Sequence, residues 1–295
     1  MSRWWPDTLH AGLAPGRVEV LARGPIGTLR YQGTRTPGND EPPPVAGEVA
    51  SASTAPPAWR IAVDALADEV SRMRLAPGSV VRLVLASAFV RYAVVELDRK
   101  ACSQAEVNAL LAHRFRGIYG GVADQWQISV DEKAFGTRRL ACAMDRVMLD
   151  ALRQMCRVNR LRLQAIQPNL ALRYNQLRRQ LRAERLIFAL VEPESLTLAT
   201  FISGQWSQVH TVRGSGGIAD ELGRALLRDA AMHGCTAQPT LAIHVDSSMR
   251  EAVAEEIERW HLCSDPVGQV PAARWLMPDA RASALAGRAL LEGVA

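Results

Sequence analysis

The stretch Leu186–Gly214, LIFALVEPESLTLATFISGQWSQVHTVRG, decides the fold. Turn-forming residues interrupt it twice, at Glu192-Pro193-Glu194 and at Ser203-Gly204. Between the breaks lie runs of apolar, aromatic and β-branched residues, so it predicts three strands joined by two tight turns. A helix is expected next, over Ile218–His233, then a buried strand at Thr240–Val245 and a helix over Ser248–Trp260. The end, ASALAGRALLEGVA, reads as a small-residue helix or tail.

The chain opens in the same order. TLHAGLAPGRVEVLAR, Thr8–Arg23, reads as two strand runs around a Gly-rich tip, Gly12-Leu13-Ala14-Pro15-Gly16. The turn Gly24-Pro25-Ile26-Gly27 separates Arg17–Ala22 from a third run, Thr28–Gln32. The segment 33–57 carries six prolines, three glycines and no aromatic residue, a composition that predicts a flexible loop. Trp59, Val63, Leu66, Val70 and Met73 then recur at helical spacing, and Pro77-Gly78 is expected to stop that helix. Strands are predicted at Val80–Ala86 and Val90–Leu97, the first apolar enough to be buried on both faces. After a helix at Gln104–Tyr119 come strand-like runs at Asp124–Asp131 and Arg139–Ala143. A helix over Asp145–Arg160 should turn Val147, Leu149, Leu152, Met155 and Cys156 inward. A strand at Leu161–Ile166 and a helix at Asn169–Arg182 complete the first half. A three-strand meander, a helix and a strand are thus used twice, with almost no identity between the two halves.

Composition narrows the functional classes. The 295 residues carry a net charge of +5, and arginine supplies nearly all the positive charge, since only Lys100 and Lys133 are lysines. Residues 146–185 hold ten arginines against Asp150 and Glu184. Tyr174 alone interleaves with them, which argues against stacking on single-stranded nucleic acid. The five cysteines form no CxxC and read as reduced thiols. The six histidines form no HxxxH, HxH or HExxH, so no metal site is expected. Neither Ser87 nor Ser203 sits in GxSxG, so no hydrolase nucleophile is expected. No window reaches the roughly eighteen apolar residues of a membrane span, and MSRWWPDTLH lacks a signal core. The expected location is cytoplasmic.

The repeated order is the plan of the actin-like superfamily, α/β proteins with two RNase-H-like mixed sheets flanked by helices. Three stretches narrow the likeness: VVRLVLASAFVRYAVVEL, AEVNALLAHRFRGIYGGVADQWQIS and LRLQAIQPNLALRYNQLRR, the last with Pro168 and Asn175. Through them the chain resembles the cytoplasmic actin-like proteins of assembly platforms: the M-type protein of type IV pili and the L-type protein of type II secretion. The resemblance implies a first half at 1–183, with an inserted subdomain near 98–144, and a second half at 184–295. It also implies a scaffold peripheral to a bacterial inner membrane. Such a scaffold binds the cytoplasmic tail of an inner-membrane partner and helps couple an assembly ATPase. No nucleic acid is expected as a partner, and the membrane only indirectly.

Nucleotide-binding actin-like proteins need a carboxylate at the end of the first strand, as Asp-x-Gly, and another in the second half. Here the match is taken as His10-Ala11-Gly12, which keeps the glycine and loses the carboxylate. Imidazole is a poor ligand for hard Mg²⁺. In the second half Glu192 survives, but Pro193 removes a backbone N–H from the turn. No catalytic residue and no cofactor are therefore expected. ATP, if bound, would meet Gly12 and the Gly216 and Gly217 that precede the helix at Ile218. An active ATPase and an arginine-rich nucleic-acid binder are the alternative readings. For the partner's tail the expected contacts are Leu13, Arg17, Val18, Val20 and Arg30, with the two arginines favouring an acidic peptide.

Overall fold

A computed structural model describes residues 7–24, 28–36, 56–97, 103–131, 137–178, 181, 183–213, 217–233, 239–245, 249, 251–256 and 273–275. In order these form β1 (Thr8–Ala14), β2 (Arg17–Arg23), β3 (Leu29–Arg35), α1 (Ala58–Met73), β4 (Val80–Leu85) and β5 (Arg91–Glu96). There follow α2 (Gln104–Tyr119), β6 (Trp126–Val130), β7 (Arg138–Asp145), α3 (Arg146–Val158), β8 (Arg162–Pro168) and α4 (Asn169–Leu177). The last are β9 (Arg185–Glu192), β10 (Ser195–Ile202), β11 (Gln205–Arg213), α5 (Ile218–His233), β12 (Thr240–Val245) and β13 (Ala273–Trp275), with a helical segment at 251–256.

The first sheet has the order β3-β2-β1-β4-β8. β1 to β3 form an antiparallel meander, and β4 and β8 continue it in parallel. Side chains alternate along a strand, so Leu9, Ala11 and Leu13 share a face with Ala22, Val20 and Val18 across the β1–β2 ladder. That face carries α1: Tyr31 of β3 donates to Glu69 at 2.8 Å, and Arg35 pairs with Asp68 at 2.9 Å. α1 also packs on α3, which covers β8. On the opposite face His10, Glu19 and Arg82 lie beside Leu21 and Val84, and both His10 and Glu19 are buried.

The second sheet repeats the topology as β11-β10-β9-β12-β13. Ile187, Ala189 and Val191 join Leu196, Leu198, Leu241, Ile243 and Val245 on one face, with Leu222 of α5 and Val253 against them. The other face is aromatic. Phe201 and Trp206 pair across β10 and β11, and Tyr174 of α4 stacks on Phe201 at 4.8 Å between ring centroids.

A third, three-stranded sheet has the order β5-β7-β6. Its helix, α2, is fixed by sequence at both ends. Ser103 accepts from the Glu106 N–H while Glu106 accepts from the Ser103 N–H, a reciprocal cap, and Gly120 closes the last turn. Val107, Leu111 and Phe115 bury one stripe of α2 against Ala93, Val95 and Trp126.

The described residues form two compact units. One contains those up to Phe89 and Asp145–Asn169; the other contains Val90–Met144 and those from Leu170 onward. The boundary at 183/184 falls between β8 and β9 in sequence, whereas the unit that holds the second sheet also holds Val90–Met144.

Several local expectations differ from what is observed. Val147 is 58% exposed and Met148 is buried in its place: the Asp145 side chain caps α3, so its inward stripe is 148, 149, 152, 155 and 156. α1 ends at Met73, ahead of Pro77, because Arg74 takes a left-handed φ of 47° and stops the helix. Asp124 and Gln125 lie in a 3-10 turn rather than in β6. α4 stops at Leu177. The short strand β13 was not expected. Residues 37–55 of the expected loop, the Pro25–Gly27 turn, residues 248, 250 and 257–260 of the expected Ser248–Trp260 helix and the 282–295 segment lie outside the described residues.

Candidate functional site

Both hairpin tips can be read residue by residue. Ala14 pairs with Arg17, so the first tip is the two-residue turn Pro15-Gly16, with Gly16 at φ 64°. Gly12 is therefore not in the turn. It lies inside the central strand β1, opposite Glu19 of β2 and Val84 of β4, where its backbone belongs to the two ladders. His10, Ala11 and Gly12 all lie within β1, ahead of its last residue. The strand-end position is Ala14, a methyl, followed by Pro15, which has no N–H. The second tip is built alike: Glu192 pairs with Ser195 across Pro193-Glu194. Glu192 is buried and accepts a long hydrogen bond from the Ser195 hydroxyl at 3.4 Å.

The third position at which a phosphate could bind is the N-terminus of α5. Gly216 lies outside the described residues. Gly217 is described, and a Cβ on it would meet Glu256 Oε1 at 3.1 Å and Asp220 Oδ2 at 3.4 Å. The Ala219 N–H donates to Glu256 Oε1 at 3.0 Å. A carboxylate of the chain itself thus takes one donor at this helix end, and Asp220 and Glu221 add negative charge in the first turn. An anion arriving there would meet the negative charge of Glu256, Asp220 and Glu221.

On the face of the first sheet away from α1, His10 faces Arg82 in the β1–β4 register. Burial first, then Arg82 and Arg23, lower its pKa to about 4, so the imidazole is neutral near pH 7. Its Nδ1 is buried without a hydrogen-bond partner among the described residues. Burial also pushes the thiols of Cys142 and Cys156 up, to about 12 and about 11, which makes both poor nucleophiles. Cys102 lies outside the described residues.

The residues expected to hold a partner's tail do not form one surface. Leu13, Val18 and Val20 are buried under α1 as core of the first sheet. Arg17 is half-buried and pairs with Glu19 on its own strand, while Arg30 is largely exposed and pairs with Asp7 at 2.7 Å.

Sequence reasoning missed a cavity of about 360 Å³ lined by Val94, Val95, Glu96, Leu110, Arg114, Arg138 and Ser207. Val94 and Val95 point to opposite faces of β5, so a cavity touching both runs along the edge of the strand. β5 is the first strand of its sheet and has β7 as its ladder partner, while β11, which carries Ser207, lies against it. A signal for this groove was present. On α2, Leu110, Arg114 and Ile118 recur four residues apart on a stripe separate from the buried Val107, Leu111 and Phe115, with Leu110 40% and Ile118 46% exposed.

No protein-family model and no curated protein matches the chain. Solved structures do match over nearly its full length. A Bacteroides thetaiotaomicron protein of actin-like ATPase fold and unknown function is 12% identical with a TM-score of 0.60, over 97% of this chain and 98% of that one. A chain of the PilM–PilN type IV pilus biogenesis complex is 13% identical with a TM-score of 0.58, over 100% of both chains. The cytoplasmic domain of EpsL, an inner-membrane component of the Vibrio cholerae type II secretion system, is 13% identical over 88% of this chain and 96% of that one, with a TM-score of 0.49. Together with the doubled β3-β2-β1-β4-β8 topology, the first two likenesses establish that this chain has the actin-like fold.

Proposed function

We propose that this protein is a cytoplasmic scaffold of a type IV pilus or type II-like secretion assembly platform. It binds the cytoplasmic tail of an inner-membrane partner, helps couple the assembly ATPase, and does not itself hydrolyse nucleotide. The observation that carries the reading is end-to-end coverage, in both directions, between this chain and a chain of the PilM–PilN complex. Support for a scaffold rather than an ATPase comes from three positions. Ala14 stands at the end of β1, prolines open both hairpin turns, and Glu256 holds the Ala219 N–H at the start of α5. Among the described residues no helix is long and apolar enough to cross a membrane.

The test is affinity purification of the tagged full chain from detergent-solubilised membranes of its native cell, followed by identification of what co-purifies. The expected result is an inner-membrane pilus or secretion platform protein with a short cytoplasmic tail. Recovery of no membrane protein overturns the scaffold reading. In parallel, a thermal melt with Mg²⁺–ATP should leave the midpoint unchanged. A ligand present at a hundred times its Kd would add about 2.7 kcal/mol, and a shift of that size favours the ATPase reading instead.

A further inference from the structure

We propose that the end of the first sheet at which β1, β4 and β8 begin is a contact surface for the anionic phospholipid face of a membrane. This goes beyond the scaffold reading and does not depend on it. The ladder registers place one row across all five strands there, with Leu29, Arg23, Thr8, Val80 and Arg162 as successive partners. Four strand spacings of about 4.8 Å make the row roughly 19 Å wide. The C-terminal ends of α1 and α3 reach the same end. The Gly78 N–H donates to the Arg160 carbonyl at 2.8 Å and the Arg162 N–H to the Ser79 carbonyl at 2.9 Å, so the segments that follow the two helices lie together. Arg74 closes α1, and Arg157 stands in the last turn of α3.

Six arginines therefore gather at this end: Arg23, Arg30, Arg74, Arg157, Arg160 and Arg162. Against them, the carboxylate in the described parts of segments 7–8, 23–30, 74–80 and 157–162 is Asp7, which is buried and paired with Arg30 at 2.7 Å. Arg74, Arg157, Arg160 and Arg162 are exposed, and none forms an ion pair with a described residue. A cation at a helix C-terminus complements the helix dipole, which accounts for Arg74 and Arg157. Arg23, Arg30 and Arg162 stand on strands and have no such task. The choice of occupant follows from what lies between the charges. Val158, between Arg157 and Arg160, is 69% exposed, and Leu29 is exposed at the other end of the row. Guanidinium groups interspersed with apolar side chains suit the headgroup boundary, where phosphates accept hydrogen bonds and apolar groups enter the acyl margin. In sequence, Arg3, Trp4 and Trp5 stand just ahead of Asp7, and tryptophan favours that boundary. The described parts of these segments carry no aromatic side chain on which bases stack, which favours lipid over single-stranded nucleic acid.

The test is co-sedimentation of the full chain with vesicles of phosphatidylethanolamine and phosphatidylglycerol and, separately, with vesicles of phosphatidylcholine alone. The proposal expects the anionic vesicles to bind at least about tenfold more tightly, with binding that weakens as salt is raised. Arg157→Glu with Arg162→Glu should weaken it at least about tenfold, and Val158→Asp by a smaller factor. The control is Arg35→Glu with Arg60→Glu, the same change of net charge. Arg60 lies about 21 Å along α1 from Arg74, and Arg35 about 17 Å along the β2–β3 ladder from Arg23. Both distances exceed a Debye length of about 8 Å, so the control should stay within about twofold of wild type. Circular dichroism confirms folding, and Arg157→Gln with Arg162→Gln serves if the charge reversal does not fold. Equal binding of wild type to both kinds of vesicle, undiminished binding by a folded Arg157 and Arg162 variant, or an equal loss in the control overturns the surface. Binding of a DNA duplex without binding of anionic vesicles assigns the arginines to nucleic acid and overturns the stated occupant. Each of these outcomes leaves the scaffold reading to its own co-purification test.

Discussion

The β1–β2 and β9–β10 hairpins are one design carried out with two sets of side chains. Each has a strand-end residue, a two-residue turn opened by proline, and a parallel neighbour on its other side. Aligned on that turn, Ala14 stands where Glu192 stands, His10 where Phe188 stands, and Arg82 of β4 where Ala242 of β12 stands. One sheet therefore buries a neutral imidazole beside a guanidinium on the face where the other buries a fully covered phenyl ring beside a methyl. The lesson is that the backbone ladder and the proline turn carry the topology. The face away from the covering helix of the first sheet, and its counterpart in the second, differ in chemistry on the same backbone frame.

The largest effect should come from the aromatic face. Phe201→Ala removes the ring that touches both Tyr174 and Trp206 and should cost about 3–5 kcal/mol, measured by urea unfolding. A loss below about 1 kcal/mol would mean that this face is not what holds the second hairpin.

Next comes pH. The pKa of His10 in the folded chain lies near 4, below its ordinary value of 6.5, so the unfolded chain takes up the proton first as pH falls. The contribution to stability is fully present above pH 6.5 and is lost between 6.5 and 4, amounting to on the order of 3 kcal/mol. His10→Phe, which copies the second sheet, should remove that component from the urea midpoint plotted against pH. Partial burial also lowers the pKa of His210, so a smaller slope should persist. Equal slopes in wild type and variant would break the contrast between the sheets.

The smallest effects concern the turns. Gly16 sits at φ 64°, where a Cβ is strained, so Gly16→Ala should lower stability by about 1 kcal/mol. Glu194→Ala, at the same place in the second turn, should stay within about 0.5 kcal/mol. Equal losses in thermal melts would show that the two turns share a conformation after all.

Much of the fold was legible because it depends on near-neighbour chemistry. Pro15-Gly16, Pro193-Glu194 and Ser203-Gly204 mark turns wherever they occur, and α2, α5 and β12 begin and end where cap residues and apolar periodicity put them. The doubled order of elements followed from that punctuation, and with it the actin-like architecture.

Register and exposure were not legible in the same way. The sequence offered two glycines, Gly12 and Gly16, for one turn, and only the pairing of Ala14 with Arg17 decides between them, because a ladder register depends on two strands at once. Leu13, Val18 and Val20 alternate as any strand does, and whether the alternating face meets a peptide or α1 depends on where α1 lies. Glu256 reaches Ala219 across 37 positions, and Arg114 meets Arg138 and Val94 around one cavity. Local sequence thus determined the elements and their order, through turn, cap and period preferences that act over a few residues. Tertiary structure alone decided which glycine turns, which carboxylate caps α5 and which arginines share a groove, since each is a meeting of distant segments brought together by the burial of apolar surface.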